Sequence, residues 1–382
     1  MENTKPKDFR NVKNFPGTNG NDLDVILHRF GKIEEINSTL FALILFLVAY
    51  LVSFGNLTNA TILFSFYLFD WLLLWLLPKV GLSYGPPKPP LAILALGRSL
   101  FGFLPIPWSW VAQLFGTMLV IYGFWIEPHL ITLTHQRLFS TKIKNNKPIR
   151  ILHLADLHIE RITSREKQLT RMIAHLRPDL ILFSGDILNL SYLKDDLAWQ
   201  SAREIIQQWQ APYGVFLVSG SPAVDLEENL PALIDGLPVT WLNDQTVTIK
   251  IEDTTLQVIG LTCTHKPFED APRMEKILPT QKNNFSILLH HSPDLAPDAA
   301  LHAIDLHLAG HTHGGQVRLP FYGALVTGSL YGKLFEAGRY SVSQMVLYVS
   351  RGIGLEGAGA PRVRFLCRPE IILWELFPEQ AK

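Results

Sequence analysis

Cysteine is nearly missing from this chain: Cys263 and Cys367 are the only two in 382 residues. Two thiols neither staple a domain of this size nor build a thiolate metal site, so any metal centre must draw on His and carboxylates. Net charge is missing too, with 34 basic side chains against 34 acidic ones. That balance argues against a general electrostatic attraction to nucleic acid, and no such partner is expected. Repeats and low-complexity tracts are absent. The first 37 residues are polar and mixed in charge, without the basic run and apolar stretch of a cleavable signal peptide.

Long apolar runs are present, and they divide the chain. Residues 39–126 are dense in Leu, Phe, Trp and Ile and nearly free of charge, whereas charge returns after about residue 140. The expected organisation is a polar segment (1–37), a transmembrane helical module (38–128), a connector (129–148) and an α/β domain (149–378). Four apolar segments, about 39–54, 60–77, 91–107 and 108–126, come near the roughly 17–25 residues that a spanning helix needs. Their outer connections carry no charge. Lys5, Lys7, Arg10, Lys13, Arg29 and Lys32 precede the first, Lys79 and Lys88 lie between the second and third, and Arg137, Lys142, Lys144 and Lys147 follow the fourth. The positive-inside rule then makes this a multi-pass protein with both termini and the α/β domain in the cytoplasm. The third segment is the weakest, interrupted by Arg98 and ended by Pro105 and Pro107; were it re-entrant, the domain would move outside. Asp70 lies seven residues from Leu77, and Arg98 seven from Leu91. Both are thus about 10 Å deep on antiparallel neighbours, where an ion pair between helices would make each tolerable.

From Ile149 onward, apolar strands end in acidic or imidazole side chains. Ile149–Leu154 runs into Asp156 and His158, Leu180–Ser184 into Asp186 and Asn189, and Gly214–Ser219 into Gly220, Ser221, Pro222 and Ala223. Phe285–Leu289 ends in His290 and His291, and Leu306–Leu308 runs into His311 and His313. A polar helix is expected over Ser164–Leu176. In open α/β sheets, sites gather at the carboxyl ends of strands, so these groups should converge. Oxygen and imidazole donors without thiolate suit Mn, Fe or Zn, and their number exceeds what one four-coordinate ion needs. A pair of ions would clamp both oxygens of a phosphoryl displacement.

Asp-x-His, Gly-Asp-x-x-Asn, a strand-end His-x-Pro and Gly-His-Thr-His-Gly-Gly-Gln, in this order, resemble the calcineurin-like metallophosphoesterases. Gly310–Pro320, Tyr348–Gly354 and Arg364–Ile371 resemble its bacterial membrane-associated subgroup. The resemblance covers roughly residues 149–376 and implies a four-layer α/β/β/α sandwich behind about four transmembrane helices. It also implies two divalent ions. Asp156, His158, Asp186 and His313 would hold the first. Asp186 would bridge to the second, also held by His291 and His311. His291 is preferred over His290 because it stands two residues before the proline, leaving His290 as a neighbour. Asn189 would orient the Asp186 loop, and Arg351 is a candidate phosphate contact. A hydroxide between the ions would attack phosphorus.

The third motif departs from the family, whose strand ends in Gly-Asn-His-Asp or Gly-Asn-His-Glu. Ser221 replaces the Asn ligand and reaches the second ion weakly or through a water, so that ion is expected to be held less firmly. Pro222 replaces the His that assists the leaving oxygen and donates nothing. Losing a general acid costs about 10²–10⁴-fold in rate. Unless His265 or His290 substitutes, two readings stay open. One is a phosphoesterase or pyrophosphatase acting on a phosphorylated small molecule or lipid beside the bilayer. The other is a weakened or inactive membrane protein that binds or regulates.

Overall fold

The computed structural model describes residues 5–379. A short helix α1 (Asp22–Gly31) precedes a bundle of α2 (Ser38–Val52), α3 (Leu57–Lys79), α4 (Lys88–Gly102) and α5 (Trp108–Val120), the last continuing as wider and tighter turns to His129. By length and composition, Leu57–Lys79 and Trp108–His129 can cross a membrane. A third span arises only if α2 is taken with the bent stretch before it. With 15 residues each, α2 and α4 reach about 22 Å, short of the roughly 30 Å of hydrocarbon. The segment expected over 91–107 thus starts earlier, at Lys88, and stops at Gly102, five residues before Pro107.

Inside the bundle, Asp70 and Arg98 pair through Nε–Oδ2 at 2.5 Å and Nη2–Oδ1 at 2.7 Å. The guanidinium also donates to Gln113 O (2.8 Å) and Thr117 Oγ1 (2.8 Å) on α5. One cation therefore ties three helices together, and every donor reaches an acceptor inside an apolar shell. Leu43, Leu47, Leu72, Leu96, Leu100 and Leu114 are exposed on the bundle's outside.

The remaining chain builds two packed sheets from β1 (Thr132–Ser140), β2 (Ile149–Leu154), α6 (Ser164–Leu176), β3 (Leu180–Phe183), α7 (Asp196–Ile206), β4 (Val215–Leu217), α8 (Leu230–Ile234), β5 (Thr240–Trp241), β6 (Gln245–Ile251), β7 (Thr254–Gly260), α9 (Pro267–Ile277), β8 (Phe285–Leu289), α10 (Ala296–Ala299), β9 (Leu306–Ala309), β10 (Arg318–Leu319), β11 (Gly323–Ala324), β12 (Gly338–Val342), β13 (Met345–Val349) and β14 (Glu370–Pro378). Of these strands, β10 and β11 pair only with each other as a two-stranded ribbon; one packed sheet has the order β1-β14-β2-β3-β4-β5 and the other β12-β13-β9-β8-β7-β6. Side chains alternate faces along each strand, so each strand feeds two layers. Ile149, Ile151, Leu180 and Leu182 meet Ile287, Leu289, Leu306 and Leu308 between the sheets. Leu152, Leu154, Ile181 and Phe183 face Leu169 and Ile173 of α6 and Ala202 of α7. Ile259, Leu288 and Val349 face Met274 of α9 and Ala296 of α10 on the far side. The result is helix, sheet, sheet, helix.

The stretch 129–148, expected as a connector, contains β1, which pairs with β14 along nine residues. The N-terminal segment is also more than a polar leader. Phe9 and Phe15 are buried against the second sheet's outer layer, because two aromatics among polar residues suffice to pin the stretch there. Glu127, at the end of the last membrane-type helix, accepts the backbone N–H groups of Leu366 (2.8 Å) and Cys367, which clamps the bundle to the loop before β14.

Candidate metal centre

The site lies where β2, β3, β4, β7, β8 and β9 end. These strands are parallel within their sheets, so their carboxyl ends face one edge of the sandwich. Asp156 and His158 follow β2, Asp186 follows β3, Ser221 follows β4, His291 follows β8, and His311 and His313 follow β9. Asp156 (φ 50°), His158 (φ 43°), Asp186 (φ 64°), His311 (φ 72°) and His313 (φ 51°) all take left-handed backbone, which costs energy at residues other than glycine. Such strain persists where the surroundings over-determine it, as they do at functional sites.

Glycines make the convergence possible. A Cβ at Gly220 would sit 2.1 Å from Asp186 Oδ1. One at Gly310 would sit 2.6 Å from Asp156 Oδ2. A Cβ at Gly220 would also lie 2.3 Å from the Asp186 backbone N. We therefore expect Gly220→Ala to displace the Asp186 loop and lower both metal-free stability and metal affinity, checked by thermal unfolding and by titrating Mn²⁺ into the metal-free protein; both unchanged would refute the close approach.

The donors form overlapping groups whose ligand atoms lie within 4.8 Å of one another: Asp156, His158 and His313; Asp156, Asp186 and His291; and His265, His291 and His311. All the side chains expected as ligands therefore come together. His158 Nε2 and His313 Nε2 face each other at 2.9 Å, and Asp186 Oδ2 is 3.2 Å from His291 Nε2. Burial holds the His311 imidazole down at about 3 and the His313 imidazole well below the usual range. Both stay neutral with a lone pair to give. Burial lifts the Asp156 carboxyl to about 6, with Asp186 adding to the rise against the pull of His291. Burial also opposes charge on His291, but the Asp186 carboxylate outweighs it and raises the imidazole to about 9. The two carboxylates thus draw positive charge into the pocket.

These residues fit divalent ions. Asp156 Oδ2 is buried with no hydrogen-bond partner among the described residues, although a buried carboxylate oxygen normally has one. Two imidazole nitrogens facing each other at 2.9 Å are likewise placed to share a common electrophile. His311 Nε2 is committed to Gly328 O at 3.0 Å, which orients the ring in the way that outer partners orient metal-ligating histidines.

The other expected residues take supporting positions. Asn189 caps the turn at Leu190–Tyr192 and donates to Leu355 O (2.9 Å), joining the Asp186 loop to the 350s loop. His290 turns away from the donors to Asp270 (3.3 Å). Arg351, the candidate phosphate contact, donates from Nη2 to Glu370 (2.7 Å). Ser221 Oγ stands 3.2 Å from both Asp186 Oδ2 and His291 Nε2. Sequence reasoning missed Asp225, whose buried carboxylate accepts N–H groups from Asp186 (2.8 Å), Ile187 (3.0 Å) and Gly220 (2.8 Å). No motif marks it; it locks the second and third strand-end loops together. A cavity of about 300 Å³ opens over the donors, walled by Leu23 and Leu27 of α1 and by Leu190, Val224, Val326 and Val363.

Residues 149–315 match the family described as calcineurin-like phosphoesterase. The chain is 30% identical over 268 residues to the uncharacterized metallophosphoesterase YkuE of Bacillus subtilis, covering 67% of this chain and 88% of that one. It is 29% identical to the phosphodiesterase YaeI of Escherichia coli, over 67% of this chain and 92% of that protein. It is 24% identical to the UDP-2,3-diacylglucosamine pyrophosphatase LpxG of Chlamydia muridarum, over 66% and 91%. The matched stretch carries the strand-end donors described above, and the chain belongs to the calcineurin-like metallophosphoesterases, a family of metal-dependent hydrolases of phosphate esters.

Proposed function

We propose that the protein hydrolyses a phosphate ester or phosphoanhydride of an amphiphile at the membrane, with two divalent ions held at the strand ends. Asp156, His158, Asp186 and His313 would hold one ion, and Asp186, His291 and His311 the other. Two such ions supply Lewis acidity at the phosphoryl oxygens and make a water acidic enough to act as nucleophile. The chain's own part is to fix these donors on strained, glycine-cleared loops and to roof them against bulk water with α1. The observation that carries the reading is the gathering of all six expected donors into overlapping groups, of which Asp186, His311 and His313 open onto one cavity.

The cavity also argues for the substrate. Its floor includes Asp186, His311 and His313, and its walls combine Leu23, Leu27, Leu190, Val224, Val326 and Val363 with the polar Asn21, Asp24, Gln316 and Glu356, so a phosphate joined to an apolar portion fits both parts. Val363 of that wall packs against Gly123, next to the membrane helices. The lipid-linked substrate in LpxG's name is of the same kind. Pro222 gives no proton to a leaving oxygen, which disfavours alkyl phosphates. A phosphoanhydride expels a phosphate that needs no such proton, so cleavage of an anhydride tolerates the altered third motif. That motif also favours a second reading, a protein that binds the phosphate without turnover. The bundle is read as embedded, with four segments in the bilayer and the charged loops and α/β domain in the cytoplasm. A reporter fused to the C-terminus should report a cytoplasmic location; an external signal would overturn this topology.

The purified protein in detergent, with Mn²⁺, should cleave a lipid-linked pyrophosphate faster than an aryl phosphodiester, and both faster than an alkyl phosphate. The reverse order would contradict the leaving-group argument. No turnover of any of them, with ions bound, would favour the binding protein.

A further inference from the structure

We propose that His265 replaces the family's asparagine as a ligand of the second ion. The inference rests on the two-ion reading above and adds a residue that no strand-end motif announces. His265 follows β7, in the same row of strand ends that supplies the other donors. Its Nε2 is 3.0 Å from Ser221 Oγ, the atom that is itself 3.2 Å from Asp186 Oδ2 and from His291 Nε2. Asp186 Oδ2 and His291 Nε2 are 3.2 Å apart. Donor spacings of this size are the edges of a coordination shell with bonds of about 2.0–2.2 Å. Ser221 and His265 together fill the side that a longer asparagine would reach alone.

Three further observations set His265 apart from a packed histidine. Its backbone is left-handed (φ 60°), as at five of the six expected ligands. Its ring is buried, and among the described residues Nδ1 has no partner while Nε2 has only the Ser221 hydroxyl. A structural histidine at that depth would normally be satisfied by carbonyls or carboxylates. Its loop is also braced: Asp270 accepts from Thr264 Oγ1 (2.7 Å) and is in turn held by His290 (3.3 Å). His290, expected as a neighbour of the metal, thus acts by steadying the residue beside His265.

The N-terminal segment seals this position. Gly17 (φ 80°) lies against the ring so closely that a Cβ there would meet Nε2 at 2.2 Å. Phe15, two residues earlier, stacks edge-on with Phe268 of α9 and holds the segment down. A side chain at position 17 would therefore push the imidazole out of place.

The test is metal stoichiometry in the full-length, detergent-solubilised protein, with Mn²⁺ counted after desalting and the spin coupling of paired ions read by electron paramagnetic resonance. The wild type should hold two coupled ions per chain and H265A one uncoupled ion, with metal-free thermal unfolding unchanged. S221N in the H265A background should restore the second ion by supplying the family's oxygen donor, which separates ligand loss from misfolding. Two coupled ions in H265A at wild-type affinity would overturn the assignment. So would a double variant that folds yet still holds one. A wild-type chain that takes up fewer than two ions would instead sink the two-ion reading beneath it.

Discussion

Asp186→Asn should lower metal-dependent phosphoester hydrolysis by on the order of 10³-fold or more, the scale on which a central electrostatic element of an active site contributes. Asp186 stands between donors expected for the two ions. Its Oδ2 is 3.6 Å from His158 Nε2 on one side and 3.2 Å from His291 Nε2 on the other. The amide keeps the shape but loses the charge that holds His291 high and that would be shared between two cations. Burial works against this carboxylate, yet His291 and the surrounding hydrogen bonds keep it ionised well below the usual carboxylate range. The substitution should therefore remove metal before it removes fold. Measured side by side, bound Mn²⁺ and rate should both collapse while the unfolding temperature of the metal-free protein barely changes. A variant that keeps wild-type rate would rule out the bridging role.

The second large effect is structural. Arg98→Ala leaves the Asp70 carboxylate buried and unpaired among three helices, and breaking a buried pair by removing one partner costs about 3–5 kcal/mol. The bundle should unfold at a much lower denaturant concentration in detergent. The double variant Asp70→Asn/Arg98→Met should recover most of that loss, because no uncompensated charge remains. If the double variant is no more stable than Arg98→Ala, the pair is not what makes these two residues tolerable. Hydrolysis of a soluble aryl phosphodiester should fall less than stability does, since Asp70 and Arg98 bond to each other and to α5, away from the places where the bundle meets the α/β domain, at Glu127 and at Tyr84, whose N–H donates to Glu160 (3.0 Å).

What could be read from the sequence follows from how locally each feature is specified. The helix Ser164–Leu176 was legible to the residue because Thr163 and Glu166 form a capping box at its start. Strands Ile149–Leu154 and Phe285–Leu289 were legible because they are short apolar runs ended by polar donors. The depth match between Asp70 and Arg98 survived because helix rise is constant. The strand in 129–148 was not legible, since its partner is β14 at the far end of the chain. Nor was the burial of Phe9 and Phe15, which depends on a sheet face built from distant residues. His265 and Asp225 act by tertiary approach alone. A histidine closing the apolar run Leu256–Leu261 was the one visible hint, and it pointed first to a proton donor.

The central claim is that an altered third motif has left a working two-ion centre. The most direct measurement strips the purified protein of metal with a chelator, restores Mn²⁺ stepwise, and follows bound ions and hydrolysis of a lipid-linked pyrophosphate together. Turnover should be absent without metal and should rise as the second ion binds. A protein that takes up two ions and cleaves nothing would contradict the account.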